Sequence, residues 1–226
     1  MTIADQLITL RARIHSAALK AGRDPASIHL LAASKRTDAE GIRESIEAGQ
    51  LLFGENRAQS LRDKFDLLSP GYPDAEWHFI GHLQKNKIKY VVGRATLVHT
   101  IDSIALASAL DGYIDRTGKP PIGVLAQVKL GQDPNKTGCP PESLFDLCEH
   151  IHNSKHLNLK GLMNIPPQEG PPEKWFSTIA KLGEAGKEAG FPLDILSMGM
   201  SGDLEEAIAC GATIIRVGRF IYQPKT

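Results

Sequence analysis

Short apolar runs alternate with amphipathic stretches along almost the whole chain. The first amphipathic stretch places Ile3, Leu7, Leu10 and Ile14 at i, i+4, i+7 and i+11, one stripe of a helix. Thr2 and Asp5 are spaced as a capping pair in front of it, and Ala21-Gly22 supplies its stop. Eight apolar runs follow, at residues 28–33, 51–53, 77–80, 97–100, 122–128, 159–163, 195–197 and 213–217. Helical stretches separate them, at 38–48, 57–68, 83–91, 103–116, 141–152, 172–189 and 203–209. Pro141 and Pro172 stand where helices begin, and Gly49, Gly118, Gly190 and Gly211 where helices end, the asymmetry that helix termini favour.

Several runs, 28–33 and 213–215 among them, are nearly continuous in apolar residues and do not alternate with polar ones. Strands covered by helices on both faces have this character, which predicts a parallel sheet. Eight strands with seven intervening helices and one N-terminal helix predict a single (β/α)8 TIM barrel of α/β class over residues 1–226. An open doubly wound sheet is the alternative, but no glycine-rich GxGxxG follows the first run. The breaker cluster at 166–172 reads as a loop above the barrel, and no internal repeat is present.

Composition narrows the function. Lys plus Arg and Asp plus Glu balance at 26 each, so no global field recruits nucleic acid or an anionic membrane. No apolar run approaches a membrane span, and Met1-Thr2-Ile3-Ala4-Asp5 lacks the start of a secretory signal. Cys139, Cys148 and Cys210 are odd in number and lack CxxC spacing, which argues against a disulfide framework or a zinc site. A soluble cytoplasmic protein without a metal centre is expected.

In a barrel of this kind the residues just past each strand face a common pocket. They are Lys35; Glu55, Asn56 and Arg57; Gly81 through Asn86, with His82; Asp102 and Ser103; Lys129; Met163 and Asn164; Met198 through Asp203; and Arg216, Gly218 and Arg219. A lysine at a strand tip can be desolvated there and made nucleophilic, as an imine-forming lysine needs; the plainer alternative is a lysine pointing into water. Ser201-Gly202-Asp203 opens a helix after the seventh strand, and Gly218 adds a small residue beside it. Loops after strands seven and eight form the recurrent phosphate site of the fold, although a plain N-cap by Ser201 or Asp203 would also explain one such turn. Phosphate site and lysine together suggest pyridoxal 5′-phosphate (PLP), the commonest phosphorylated aldehyde cofactor. Arg216 is then the candidate neighbour of the pyridine nitrogen, with a salt bridge in the barrel mouth as the plainer alternative. His150, His152 and His156 read as solvated, and Glu205-Glu206 as a surface face.

Leu31-Ala32-Ala33-Ser34-Lys35, Phe53-Gly54-Glu55-Asn56-Arg57, residues 77–87, Gly161-Leu162-Met163, residues 196–203 and Arg216-Val217-Gly218 are longer signals. In this order they resemble the pyridoxal phosphate homeostasis proteins, from about residue 1 to residue 221. The resemblance implies a single barrel similar to the N-terminal domain of alanine racemase, carrying PLP as an imine on Lys35. The cofactor-binding set it implies is Lys35, Asn56, Met198, Ser201, Gly202, Arg216, Gly218 and Arg219, with no catalytic residue. It further implies a monomeric carrier or regulator of PLP, serving PLP-dependent apo-enzymes and the balance of amino and keto acids without robust turnover.

Two positions depart from the family. Arg219, followed by Phe220-Ile221-Tyr222-Gln223-Pro224, stands where a hydroxyl residue and a Phe-Gly ending are usual. Arg36-Thr37-Asp38 stands where Thr-Lys-Pro often follows the lysine. Two other functions remain open: a PLP enzyme acting on a small amino acid, with His82, Tyr222 or Lys129 as base, and a lysine-imine aldolase using Lys129.

Overall fold

The structure is a computed structural model that describes residues 1–131 and 137–222; Lys136, Gln223 and Pro224 lie outside the described residues. Eight strands among them, β1 (His29–Ala33), β2 (Leu52–Glu55), β3 (Glu76–Phe79), β4 (Leu97–Ile101), β5 (Ile122–Gln127), β6 (Leu157–Met163), β7 (Ile195–Ser197) and β8 (Ile214–Val217), form a closed barrel in chain order. Every pairing is parallel, and β1 closes on β8 through His29 opposite Ile214 and Leu31 opposite Arg216. The expected (β/α)8 barrel is therefore what forms.

Its helices are α1 (Ile3–Lys20), α2 (Ala39–Glu47), α3 (Ala58–Leu68), α4 (Ile88–Val91), α5 (Ile104–Thr117), α6 (Leu144–His152), α7 (Pro172–Glu188) and α8 (Leu204–Ala209). Thr2 and Asp5 make the expected capping box on α1. The helix then lies against α8 and α2, across the seam where β8 meets β1. Arg13 pairs with Glu205, and Arg23 donates to the Ile208 and Ala212 carbonyls, so Glu205 is a docking point rather than a bare surface residue.

Two expected helices are shorter than the sequence pattern suggests. Residues 83–91 give a 3₁₀ turn at Lys85–Lys87 and a single α turn at Ile88–Val91. Residues 141–152 begin with a 3₁₀ turn at Pro141–Ser143 before α6 proper. β6 begins two residues before the expected run, because Leu157 and Leu159 are buried while Asn158 and Lys160 face solvent. That alternation falls outside a search for continuous apolar runs.

The apolar core has two compartments. Leu7, Phe53, Trp77, Phe79, Leu110 and Phe176 belong to the shell between strands and helices. Inside the barrel a smaller group contains Leu31, Ala33, Leu97, Leu125, Met163 and Ile214. A barrel of this type is normally filled by branched apolar residues. Here His78, His99, Gln127, Ser197 and Arg216 share the interior-facing parity and are buried. No helix among the described residues is long and apolar enough to cross a membrane.

Candidate functional site

The first strand ends at Ala33, and Lys35 rides on a 3₁₀ turn, Ser34–Arg36, closed by the Thr37 N–H on the Ser34 carbonyl. Its side chain is exposed at the rim, not buried as a strand-tip position suggests. The turn is anchored from below. Ser34 is fully buried and donates its hydroxyl to Glu55 Oε1 at 2.8 Å. Lys64 Nζ, reaching from α3, donates to the Ser34 carbonyl at 2.8 Å and pairs with the Glu55 carboxylate. Only 1% of the Glu55 side chain and 16% of the Lys64 side chain are exposed, so this is a buried ion pair beneath the lysine turn. Glu55 Oε2 is buried without a partner among the described residues.

Across the mouth, Gly218 follows β8 directly against β1. A Cβ on Gly218 would stand 2.5 Å from the Ala33 carbonyl oxygen, so only glycine lets the two strand ends meet. Ser201-Gly202-Asp203 forms a turn before α8, and a Cβ on Gly202 would meet nothing within 4 Å. Asp203 Oδ1 accepts from the Met200 N–H at 2.6 Å and makes no cap bond to α8, so the plain N-cap does not form. Among the described residues, no hydrogen bond takes the N–H of Ser201, Gly202, Gly218 or Arg219. These four donors stand at the ends of the adjoining strands β7 and β8.

Arg216 lies beneath them inside the barrel, 6% exposed. It donates to Ser197 Oγ at 2.7 Å and to the Asn164 carbonyl at 2.9 Å, which uses two of its five N–H groups. Both acceptors are neutral, and the salt bridge that was the plainer alternative for Arg216 is absent among the described residues. Burial pushes the guanidinium down to about 10, partly offset by the charge of Asp203, and it remains a cation at neutral pH.

The remaining candidates divide. Asn56 and His82 line one cleft of about 400 Å³ together with Arg57, Gln84 and Lys87. The Asn56 Oδ1 is buried without a partner among the described residues, and the Asn56 backbone passes so close to Gly81 that a Cβ there would stand 2.0 Å from its carbonyl oxygen. His82 is 52% exposed with Nδ1 at 3.5 Å from Asp102 Oδ2. Met198 is fully buried in the shell core, so its side chain does not reach the mouth. Lys129 lies two residues past the end of β5, with its N–H on the Cys139 carbonyl. Tyr222 is buried, its hydroxyl 3.1 Å from Ser45 Oγ, and burial pushes it up to about 12, outside the range of a general base. Ser103 caps α5, and no group of His, Cys, Asp or Glu among the described residues is arranged to hold a metal ion.

Sequence reasoning missed the interior. His78 Nδ1 and His99 Nε2 are 2.9 Å apart, His99 Nδ1 is 2.8 Å from Ser197 Oγ, and His78 Nε2 is 3.1 Å from Glu76 Oε1. A hydrogen-bonded seam thus joins Glu76 at the start of β3 to Arg216. The signal was present in the alternation of Trp77-His78-Phe79 and Val98-His99, where outward apolar residues put each histidine on the inward face. The Ser34, Glu55 and Lys64 anchor carried no such signal, since Lys64 comes from a helix.

The chain matches the family described as alanine racemase, N-terminal domain, over residues 11–225. It is 39% identical over 221 residues to a pyridoxal phosphate homeostasis protein of Pseudomonas aeruginosa, covering 98% of this chain and 95% of the relative. The corresponding protein of Escherichia coli is 38% identical over 225 residues, covering 97% and 95%. PipY of Synechococcus elongatus, solved with PLP bound, superposes with a TM-score of 0.85 at 34% identity, covering 98% of this chain and 100% of PipY. With family motifs, barrel and near-complete overlap in agreement, the chain belongs to the pyridoxal phosphate homeostasis protein family.

Proposed function

We propose that this chain binds pyridoxal 5′-phosphate at the mouth of the barrel, holds it as an imine on Lys35, and takes part in cytoplasmic PLP homeostasis and amino-acid/keto-acid balance without robust catalysis. The observation that carries this reading is the meeting of three features on the adjoining ends of β7, β8 and β1. They are the open backbone donors of Ser201, Gly202, Gly218 and Arg219, the buried cation Arg216, and the anchored turn bearing Lys35. Their chemistry fits the cofactor: four N–H groups and the Arg219 cation suit a phosphate, and Arg216 suits an unprotonated ring nitrogen. The cofactor would supply an aldehyde carbon for the Lys35 amine, with water as the leaving molecule. The likeness to PipY supports the assignment.

The protein's own residues then bind and orient. Ser34, Glu55 and Lys64 hold the lysine turn, and Gly202 leaves room for an anion to approach the backbone. Arg216, permanently charged, would keep the ring nitrogen unprotonated and weaken the ring as an electron sink. A monomeric carrier of this kind would serve PLP-dependent apo-enzymes as partners.

The test is direct. The purified protein should be yellow, and borohydride reduction followed by peptide mapping should mark the Lys35 peptide; Lys35→Ala should abolish both. A mark on Lys129 or Lys136 would overturn the assignment. Proton exchange at Cα of alanine should stay near that of free PLP, because a positioned base alone contributes roughly 10²–10⁴-fold. Saturable turnover of about 1 s⁻¹ or faster would make the protein an enzyme instead.

A further inference from the structure

Arg216 is a buried cation whose side chain meets two acceptors among the described residues, Ser197 Oγ and the Asn164 carbonyl. Neither carries charge, so the direction of the guanidinium is set by hydrogen-bond geometry. Those bonds form a closed loop across the ends of β6, β7 and β8. The Arg216 N–H donates to the Gly199 carbonyl at 3.0 Å, which ties its backbone two residues beyond Ser197. Its side chain turns back to the Ser197 hydroxyl and the Asn164 carbonyl. The Asn164 N–H closes the loop on the Ser197 carbonyl at 3.1 Å.

Three of the acceptors in this loop are backbone carbonyls, of Gly199, Asn164 and Ser197, and Ser197 Oγ is the side-chain acceptor. Ser197 is braced in turn. It is fully buried, and its Oγ lies 2.8 Å from Nδ1 of the fully buried His99 on β4. Burial foremost holds His99 well below its ordinary range, so the brace places no second cation beside the guanidinium. A hydroxyl oxygen has two lone pairs, so Ser197 can accept from Arg216 whichever tautomer His99 adopts.

We propose that Ser197 is a positioning residue for the cofactor: braced by His99, it turns Arg216 so that the guanidinium's unspent N–H groups face the PLP ring, and it thereby keeps the ring nitrogen unprotonated. The proposal rests on the PLP reading above and names what aims the cation in it. The loop spends two of the five guanidinium N–H groups and leaves three for the ring. An arginine without this tie rotates about its side-chain bonds. It is then drawn to Asp203 before α8, the acidic group whose charge acts on Arg216, and its aim at the ring is lost.

The test compares full-length wild type, Ser197→Ala and Ser197→Thr, each loaded with PLP labelled with ¹⁵N at the ring nitrogen. Wild type should show an unprotonated, hydrogen-bonded nitrogen. Ser197→Ala should show one that titrates freely, and Ser197→Thr, which keeps the hydroxyl, should restore the wild-type signal. Alanine Cα exchange should rise about tenfold in Ser197→Ala, because one unit of ring-nitrogen pKa puts tenfold more of the ring in its protonated form. A serine that only stabilises the fold would lower the melting temperature and leave the ring-nitrogen signal in place. That result, or no restoration by threonine, would overturn the proposal. Should Ser197→Ala fail to fold, the cofactor-free wild type decides. Its Arg216 should give two resolved Nη signals, the mark of a guanidinium that does not rotate, and averaged signals would overturn the proposal. A wild type that never takes up PLP would overturn the preceding reading instead, and the Arg216 signals would still decide whether Ser197 holds the side chain.

Discussion

The Ala33 carbonyl oxygen lies 2.5 Å from where a Cβ on Gly218 would stand, and this contact sets how closely β1 and β8 meet below the candidate phosphate site. Gly218→Ala must push the β1 end aside. Overpacking of this kind costs roughly 1–3 kcal/mol, about 2–4 °C of Tm per kcal/mol for a chain of this size, and it should displace the Lys35 turn. Gly202→Val, by contrast, enters open space and should leave Tm nearly unchanged while weakening PLP retention. Thermal melts and PLP titration of the two variants check the pair; unchanged PLP affinity in a folded Gly202→Val protein would remove the phosphate site from the β7 turn.

Lys64→Met strips the cation from a carboxylate that is almost wholly buried. Breaking one partner of a buried pair costs about 3–5 kcal/mol, more than an exposed ion pair is worth. The double variant Glu55→Gln/Lys64→Met should recover most of that loss, because no buried charge is then left alone. Urea unfolding of the singles and the double gives the coupling, and additive effects would mean that the pair does not act as a unit.

Stability should fall in acid, in two windows. The folded state holds His99 below its ordinary range, so the unfolded chain binds more protons as the pH drops below about 6.5. Stability from this group is full above that pH and declines beneath it, by at most about 1.4 kcal/mol per pH unit. Glu76 is held at about 2, so its contribution is full above 4.5 and lost as the pH falls toward about 2. Urea midpoints from pH 8 to 5.5 should show the first decline in the wild type and a shallower one in His99→Gln.

Tyr222→Phe removes a buried hydroxyl whose partner, Ser45, also donates to the Gly41 carbonyl at 2.7 Å. The loss should be about 0.5–1.5 kcal/mol, with PLP retention and alanine Cα exchange unchanged. A drop in exchange would place Tyr222 in the chemistry.

Much of this protein is determined by its sequence alone. Eight apolar runs with helices between them, read by period and by proline and glycine at helix ends, dictate a parallel sheet covered by helices on both faces, and their count, with no GxGxxG after the first run, favours the barrel over an open doubly wound sheet. The position of Lys35, the small residues at 201–202 and 218, and the family motifs follow from local order along the chain. What tertiary structure alone decided is what those residues touch. Lys35 sits on an exposed turn because Ser34 is tied down by Glu55 and Lys64, twenty and more residues away. Arg216 is held by neutral acceptors, Ser197 and the Asn164 carbonyl, where a salt bridge was the plainer alternative. Met198 turns into the shell because Ser197 takes the inward face. His78 and His99 meet only when β3 and β4 pair and the barrel closes. Contacts of this kind depend on strand parity and register across the closed sheet, which local periodicity suggests but only closure of the barrel resolves.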